Sequence, residues 1–286
     1  MMKRSNLKYA FFAALFCLSV SQAACQVQEG NNDGSERYLH PIFEDVNVQK
    51  DVVFKEVVNH KGEAENLSLD IYTPVGDTEK NRPAILWIHG GGFRYGNDKT
   101  QSYIVEMANR YARRGYVGVS IDYRVRENPR DDIEGTLSHA LEDAMSGLNW
   151  LRDNSEKYNI DMNKIVVGGG SAGGMIAVLL CYKDATDADK WDKSGIISLI
   201  NLWGSPDPSW IASMVDKNDP PTIIVHGTED PLVPYINSEL LMKELKRQKV
   251  KCEIIPVEGA GHTPADHMDD FAKKIAGFLY EIISDQ

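Results

Sequence analysis

The sequence predicts an α/β fold, a mostly parallel, twisted sheet with helices on both faces. Three observations predict it. Strand-length apolar runs alternate with helix-period segments from residue 83 onward. Two β-branched runs before them read as an antiparallel hairpin. Glycine clusters fall at the ends of several strand runs, where open α/β sheets place their ligands.

The elements follow in order. Residues 52–59 (VVFKEVVN) and 66–73 (NLSLDIYT) flank the polar turn 60–63 and form the hairpin. Residues 83–88 (PAILWI) are apolar throughout, as a buried strand requires. Residues 100–114 are an amphipathic helix stopped by Gly115, and 116–122 (YVGVSID) a strand. Segment 131–153 carries Ile133, Leu137, Leu141, Met145, Leu148 and Leu151 at helical spacing. The short strand 164–167 runs into Gly168-Gly169-Gly170-Ser171, and the apolar stretch 172–182 is a buried helix. Strands at 196–203 and 222–225 enclose a loop, 205–219. Helix 237–248, strand 250–257 and helix 264–283 close the chain. No internal repeat or second linker interrupts 38–286, which reads as one domain.

A chain of 286 residues with 42% hydrophobic and 26% charged residues is ordinary for a globular enzyme, which excludes disorder and a polytopic membrane protein. The net charge of -11 disfavours phosphate backbones, so no nucleic-acid partner is expected. Residues 1–24 read as an export signal. Lys3, Arg4 and Lys8 precede the apolar core 9–20, which is short against the roughly 20 residues of a membrane span. Two fates stand open. Cleavage after Ala23 leaves a periplasmic or secreted protein. Alternatively, Ala23-Ala24-Cys25 resembles the end of a bacterial lipoprotein signal, although Gln22 stands where such signals usually carry leucine. Cys25 would then carry lipid and tether the protein to the cell envelope, with polar residues 25–37 as a flexible tether. Cys181 and Cys252 read as free thiols, and no cysteine or histidine spacing suggests a metal. The oligomeric state is not encoded in any recognisable pattern.

Four glycine-marked sites carry the chemistry. Gly169-Gly170-Ser171-Ala172-Gly173 is a G-x-S-x-G match between a strand and an apolar helix. A serine there sits on a sharp turn that pushes its Oγ clear of the sheet, at a helix N-terminus that favours developing negative charge. Ser171 is the expected nucleophile. In His89-Gly90-Gly91-Gly92-Phe93, three glycines let the backbone aim N–H groups at an oxyanion. Gly91, Gly92 and Ala172 are the expected donors, and His89 is expected to be structural. Residues 223–234 (IIVHGTEDPLVP) offer Asp230 as the acid that orients a histidine, with Glu229 as the alternative. Gly259-Ala260-Gly261-His262 supplies the general base, His262. His40, His60, His139 and His226 have no catalytic context, and His267 reads as a surface residue. This chemistry needs no metal or organic cofactor.

The segments HGGGF at 89–93, SIDYR at 120–124, EDAMSGLNWLRDN at 142–154, GGGSAGG at 168–174, HGTEDPLVP at 226–234 and GAGH at 259–262 carry a resemblance. The chain resembles the α/β-hydrolase esterases related to hormone-sensitive lipase, especially the small bacterial group that includes feruloyl and acetyl carbohydrate esterases. The resemblance implies an α/β-hydrolase fold and a serine esterase working through an acyl-enzyme. It also implies that Arg124 and Asp143 pair beneath the active site. Lipase-like relatives carry a helical cap, whereas only one helix, one strand and a loop separate Ser171 from Asp230 here, so little or no cap is expected. An open site suits a short-chain or aryl acyl group on a bulky alcohol such as a polysaccharide. Phe93, Tyr95, Trp203 and Trp210 are candidates for an aromatic substrate surface, with ordinary packing as the alternative. A serine amidase or peptidase on the same fold and a catalytically inactive binding module are the rival readings.

Overall fold

A computed structural model describes residues 37–183 and 191–285. The expected leader, Cys25 and the tether up to residue 36 lie outside the described residues. β1 (Val46–Val58) and β2 (Ala64–Pro74) pair antiparallel. Their turn closes on Asn59, whose side-chain oxygen accepts the N–H groups of Lys61 and Glu63 at 2.9 and 3.1 Å. β2 pairs antiparallel with β4 (Val117–Ile121). From there the sheet is parallel through β3 (Arg82–Ile88), β5 (Ile160–Gly170), β6 (Ile196–Leu202), β7 (Thr222–Gly227) and β8 (Cys252–Val257). The order is β1-β2-β4-β3-β5-β6-β7-β8.

Every residue of β3, β4 and β7 is buried, as parallel strands covered on both faces must be. Successive side chains alternate between two cores. Ala84, Leu86 and Ile88 pack with α2 (Ile133–Asp153), α4 (Ala172–Tyr182), α5 (Pro208–Met214) and α6 (Ile236–Arg247). Ile85 and Trp87 pack on the other face with α1 (Ser102–Ala112) and α7 (Met268–Ser284). The one-turn α3 (Ser155–Tyr158) leads into β5. This is the α/β-hydrolase fold.

Four elements differ from the sequence expectation. β1 begins at Val46, ahead of the expected start at residue 52. β5 continues through Gly168–Gly170, read as turn, because Gly168 pairs with Trp87 of β3 while Gly169 and Gly170 pair with Asn201 and Leu202 of β6. Ladder hydrogen bonds make that strand end, so apolar patterning does not report it. The expected loop at 205–219 contains α5: Asp207 caps it by accepting the Ser209 N–H at 2.9 Å, and Pro208 opens its first turn. The closing helix begins only at Met268, after a single 3-10 turn at Ala265–His267. Among the described residues no helix is long and apolar enough to cross a membrane, and Cys181 and Cys252 are free thiols.

Candidate active site

Ser171 stands between β5 and α4 with φ +55° and ψ -117°, a backbone state that a β-substituted residue rarely adopts. Its N–H is fixed to the Leu202 carbonyl at 2.9 Å. The turn tolerates no side chain two residues to either side. A Cβ on Gly169 would strike the Gly173 carbonyl, and one on Gly173 would strike the carbonyls of Ile88 and His89. The G-x-S-x-G pattern is therefore a consequence of backbone crowding around a strained serine.

His262 and Asp230 come from the turns after β8 and β7. Hydrogen bonds from Glu229 N–H to Ala260 O at 3.0 Å and from Gly259 N–H to the Thr228 hydroxyl at 2.9 Å tie these turns together. The His262 Nε2 lies 2.7 Å from Ser171 Oγ, and its Nδ1 lies 2.7 Å from Asp230 Oδ2. Asp230 is 8% exposed, whereas Glu229, the alternative acid, is exposed. The other carboxylate oxygen, Oδ1, accepts the N–H groups of Leu232 and Val233 at 2.8 and 3.0 Å. Burial works to raise the Asp230 carboxyl. The hydrogen bonds from Val233, His262 and Leu232 outweigh it and hold the group below its ordinary value, as a carboxylate.

The glycine loop after β3 reaches Ser171 from the other side. Gly91, Gly92 and Phe93 take successive positive φ values of 100°, 62° and 62°. Gly91 and Gly92 line one cleft beside Ser171, and Gly92 and Ala172 line another. Several side chains not anticipated from the sequence pin this loop. The Gly90 N–H donates to Gln101 Oε1 at 2.8 Å and to the Tyr103 hydroxyl at 3.0 Å. The Tyr123 hydroxyl donates to the carbonyl of His89 at 3.0 Å. His89 itself is fully buried and stacks on Tyr123 at 4.2 Å, and burial pushes its imidazole down, so it is a neutral packing element. Arg126 N–H donates to Phe93 O at 2.8 Å, which extends the support.

Arg124 pairs with Asp143 as the resemblance implies. Its Nε and Nη2 donate to the two carboxylate oxygens at 2.8 Å each, and its backbone N–H adds a third bond at 2.9 Å. Lys55 of β1 also reaches Asp143, at 2.7 Å, so the buried carboxylate holds two cations. Because Tyr123 is the next residue, this anchor fixes the segment that supports the glycine loop.

The aromatic candidates separate. Trp203 is fully buried, wedged between Tyr103 and Phe271, and forms a wall of the cleft. Phe93 is buried and lines the second cleft, edge-on to Tyr123. Tyr95 does not reach Ser171. It packs on His60 and Lys61 at the hairpin turn. Trp210, on α5, lines a neighbouring cavity of about 510 Å³ with Leu137, Leu179 and Met214.

His226 corrects the sequence expectation. It is fully buried with its Nε2 3.1 Å from Asp230 Oδ2 and 2.9 Å from Val233 O, while its Nδ1 lies 2.7 Å from the Ser238 hydroxyl. A histidine one residue before a strand-end glycine gives no cue to this contact, which needs the β7 turn to curl back on itself. Among the described residues no cluster of three or more His, Cys, Asp or Glu side chains could hold a metal.

The chain matches the BD-FAE family model over residues 69–197 and 208–245, more than half of its length. It is 23% identical over 233 residues to Esterase LipC of Mycobacterium tuberculosis, covering 68% of this chain and 56% of that protein. It is 28% identical over 214 residues to Liver carboxylesterase B-1 of Rattus norvegicus, covering 69% of this chain and 37% of that one. The chain thus spans about half or less of these relatives. Thermogutta terrifontis esterase 2, solved phosphoramylated by tabun, superposes with a TM-score of 0.68 at 26% identity, covering 83% of this chain and 94% of that chain. A truncated carbohydrate esterase from gut microbiota shares the fold, with a TM-score of 0.66 at 20% identity over 85% of this chain and 97% of that chain. With the match spread from β2 to α6 and the serine turn inside it, the chain belongs to the BD-FAE family.

Proposed function

We propose that this protein is a serine carboxylic-ester hydrolase that works through an acyl-enzyme. One observation carries the reading: the Ser171, His262 and Asp230 side chains form a continuous relay of two 2.7 Å contacts beside a glycine loop. His262 Nε2 takes the proton as Ser171 Oγ attacks the ester carbonyl carbon. The N–H groups of Gly91, Gly92 and Ala172 receive the oxyanion. His262 returns the proton to the departing alcohol. Water, deprotonated by the same imidazole, then releases the acid and restores Ser171.

The preferred bonds are short-chain or aryl esters, including acetyl or feruloyl groups on polysaccharide. Support comes from the cleft of about 430 Å³ beside Ser171, lined by Tyr103 and Trp203, a volume suited to a small acyl group. The Thermogutta esterase was solved with propionate and with butyrate bound, in line with a short acyl group. A bulky alcohol is supported by the short β6–β7 connection, in which α5 is the one helix. Export, with Cys25 as the lipid-bearing residue or with free release, is supported by the basic and then apolar leader.

The test is hydrolysis of p-nitrophenyl acetate, butyrate and decanoate, methyl ferulate, acetylated and feruloylated oligosaccharides and matched anilides. Short and aryl esters are expected to turn over, with decanoate and anilides far slower. Rates rising with acyl length, faster amide cleavage, or no labelling by a fluorophosphonate probe would each sink the reading. Intact mass of the exported protein distinguishes lipidation of Cys25 from simple cleavage.

A further inference from the structure

We infer that His226 is a positioning residue for the acid: its Nε2–H donates to the Asp230 oxygen that His262 uses, and so sets how tightly that oxygen holds the base. The tautomer follows from the partners. Nε2 faces two acceptors, Asp230 Oδ2 and Val233 O, so it carries the proton. Nδ1 is then a lone pair, and the Ser238 hydroxyl on α6 donates to it. Ser238 is itself buried. A closed chain results, Ser238 to His226 to Asp230, meeting His262 to Ser171 at one carboxylate oxygen.

This arrangement has two consequences. The Val233 carbonyl and the Asp230 carboxylate share one N–H, so the ring clamps the acid's loop as well as its side chain. In addition, each donor on Oδ2 draws charge from it, and two donors leave less for either. His226 therefore tempers the attraction of Asp230 for a protonated His262, which eases return of the proton to the leaving group. Burial, the largest influence on the His226 imidazole, pushes it down and keeps the ring a neutral donor. The groups facing it are Asp230, His262 and Ser238, with the Tyr235 ring edge-on at 5.7 Å. Glu239 and Glu258 are the charged groups that act on Tyr235.

The inference rests on the Ser171–His262–Asp230 reading, and the two fail differently. If the wild-type protein neither hydrolyses esters nor takes a fluorophosphonate, the reading fails. If wild type is active, His226→Leu tests the inference alone. It should lower kcat about tenfold with KM unchanged, the effect of one lost hydrogen bond on a positioned acid. The acidic limb of its kcat/KM profile should move to higher pH by about half a unit or more, because the freed oxygen holds the imidazolium more tightly. His226→Gln, whose amide N–H occupies the Nε2 position, should restore the wild-type limb. A folded His226→Leu protein with the wild-type limb and kcat overturns the inference, as does a Gln variant that behaves like Leu. Imidazole 15N–1H correlation on the intact wild-type protein stands even if Leu does not fold. It should show His226 as the Nε2–H tautomer, and the Nδ1–H tautomer overturns the inference.

Discussion

The Tyr123 hydroxyl donates to the backbone carbonyl of His89 at 3.0 Å and so ties the segment after β4 to the glycine loop after β3. Tyr123 is fully buried among apolar side chains, so its hydroxyl has no competing water. Tyr123→Phe should cost about 1 kcal/mol of stability, one buried hydrogen bond. If the loop supplies oxyanion donors, kcat should fall further than this loss of stability accounts for, while KM stays. Denaturant melts and steady-state kinetics check it, and an unchanged kcat would separate the loop from the reaction.

Ser171 adopts its positive φ at an energetic cost that a glycine avoids. Ser171→Gly should raise stability by about 1 kcal/mol, while Ser171→Ala, which keeps a Cβ, should not. Both should lower ester turnover by several powers of ten. Equal melting temperatures for the Gly and wild-type proteins would show that the turn holds no strain.

Asp143 accepts from Arg124 and Lys55 in a site where its own side chain is fully buried. Asp143→Ala leaves Arg124 and Lys55 only the exposed Glu142 carboxylate, which pairs with each at 2.9 Å, and should cost about 2 kcal/mol or more. Arg124→Ala should cost less, because Lys55 still neutralises the carboxylate. A double-mutant cycle on Arg124 and Asp143 should give a coupling above about 1 kcal/mol. Additive losses would contradict the pairing.

Acid should weaken the fold in two stages. Burial pushes the imidazoles of His89 and His226 below their ordinary 6.5. As pH falls through that value the unfolded chain binds protons that the folded one refuses, so stability declines. Asp230 and Asp77 are held below their ordinary 3.8, against burial, by their hydrogen-bond donors. Their contribution is present above that value and is lost as pH falls through the lower folded values. Melting temperature measured from pH 8 to pH 2 should bend downward near 6.5 and again below 3.8, and His226→Gln should make the first decline shallower. A flat profile from 7 to 5 would contradict the assignment.

Much of this molecule was legible in the chain itself. Period-2 and period-3.6 apolar patterns report burial directly, so the hairpin, the parallel strands and α1, α2, α4, α6 and α7 were readable to within a few residues. Gly169, Ser171 and Gly173 were readable because backbone crowding at the turn leaves few residue types that fit. α5 was missed because Asp207 and Pro208 make it by capping, with no apolar period to see.

What only the tertiary structure decided is which polar groups meet. The choice of Asp230 over Glu229 and the sharing of its Oδ2 by His226 and His262 depend on how two turns after β7 and β8 are tied together. The same holds for Tyr123 and Gln101 beneath the glycine loop, and for Tyr95 turning to the hairpin. Apolar burial acts on each residue by its own composition and so leaves a local trace in sequence. A hydrogen bond is a directional match between partners far apart in the chain, and neither partner's neighbours reveal the other.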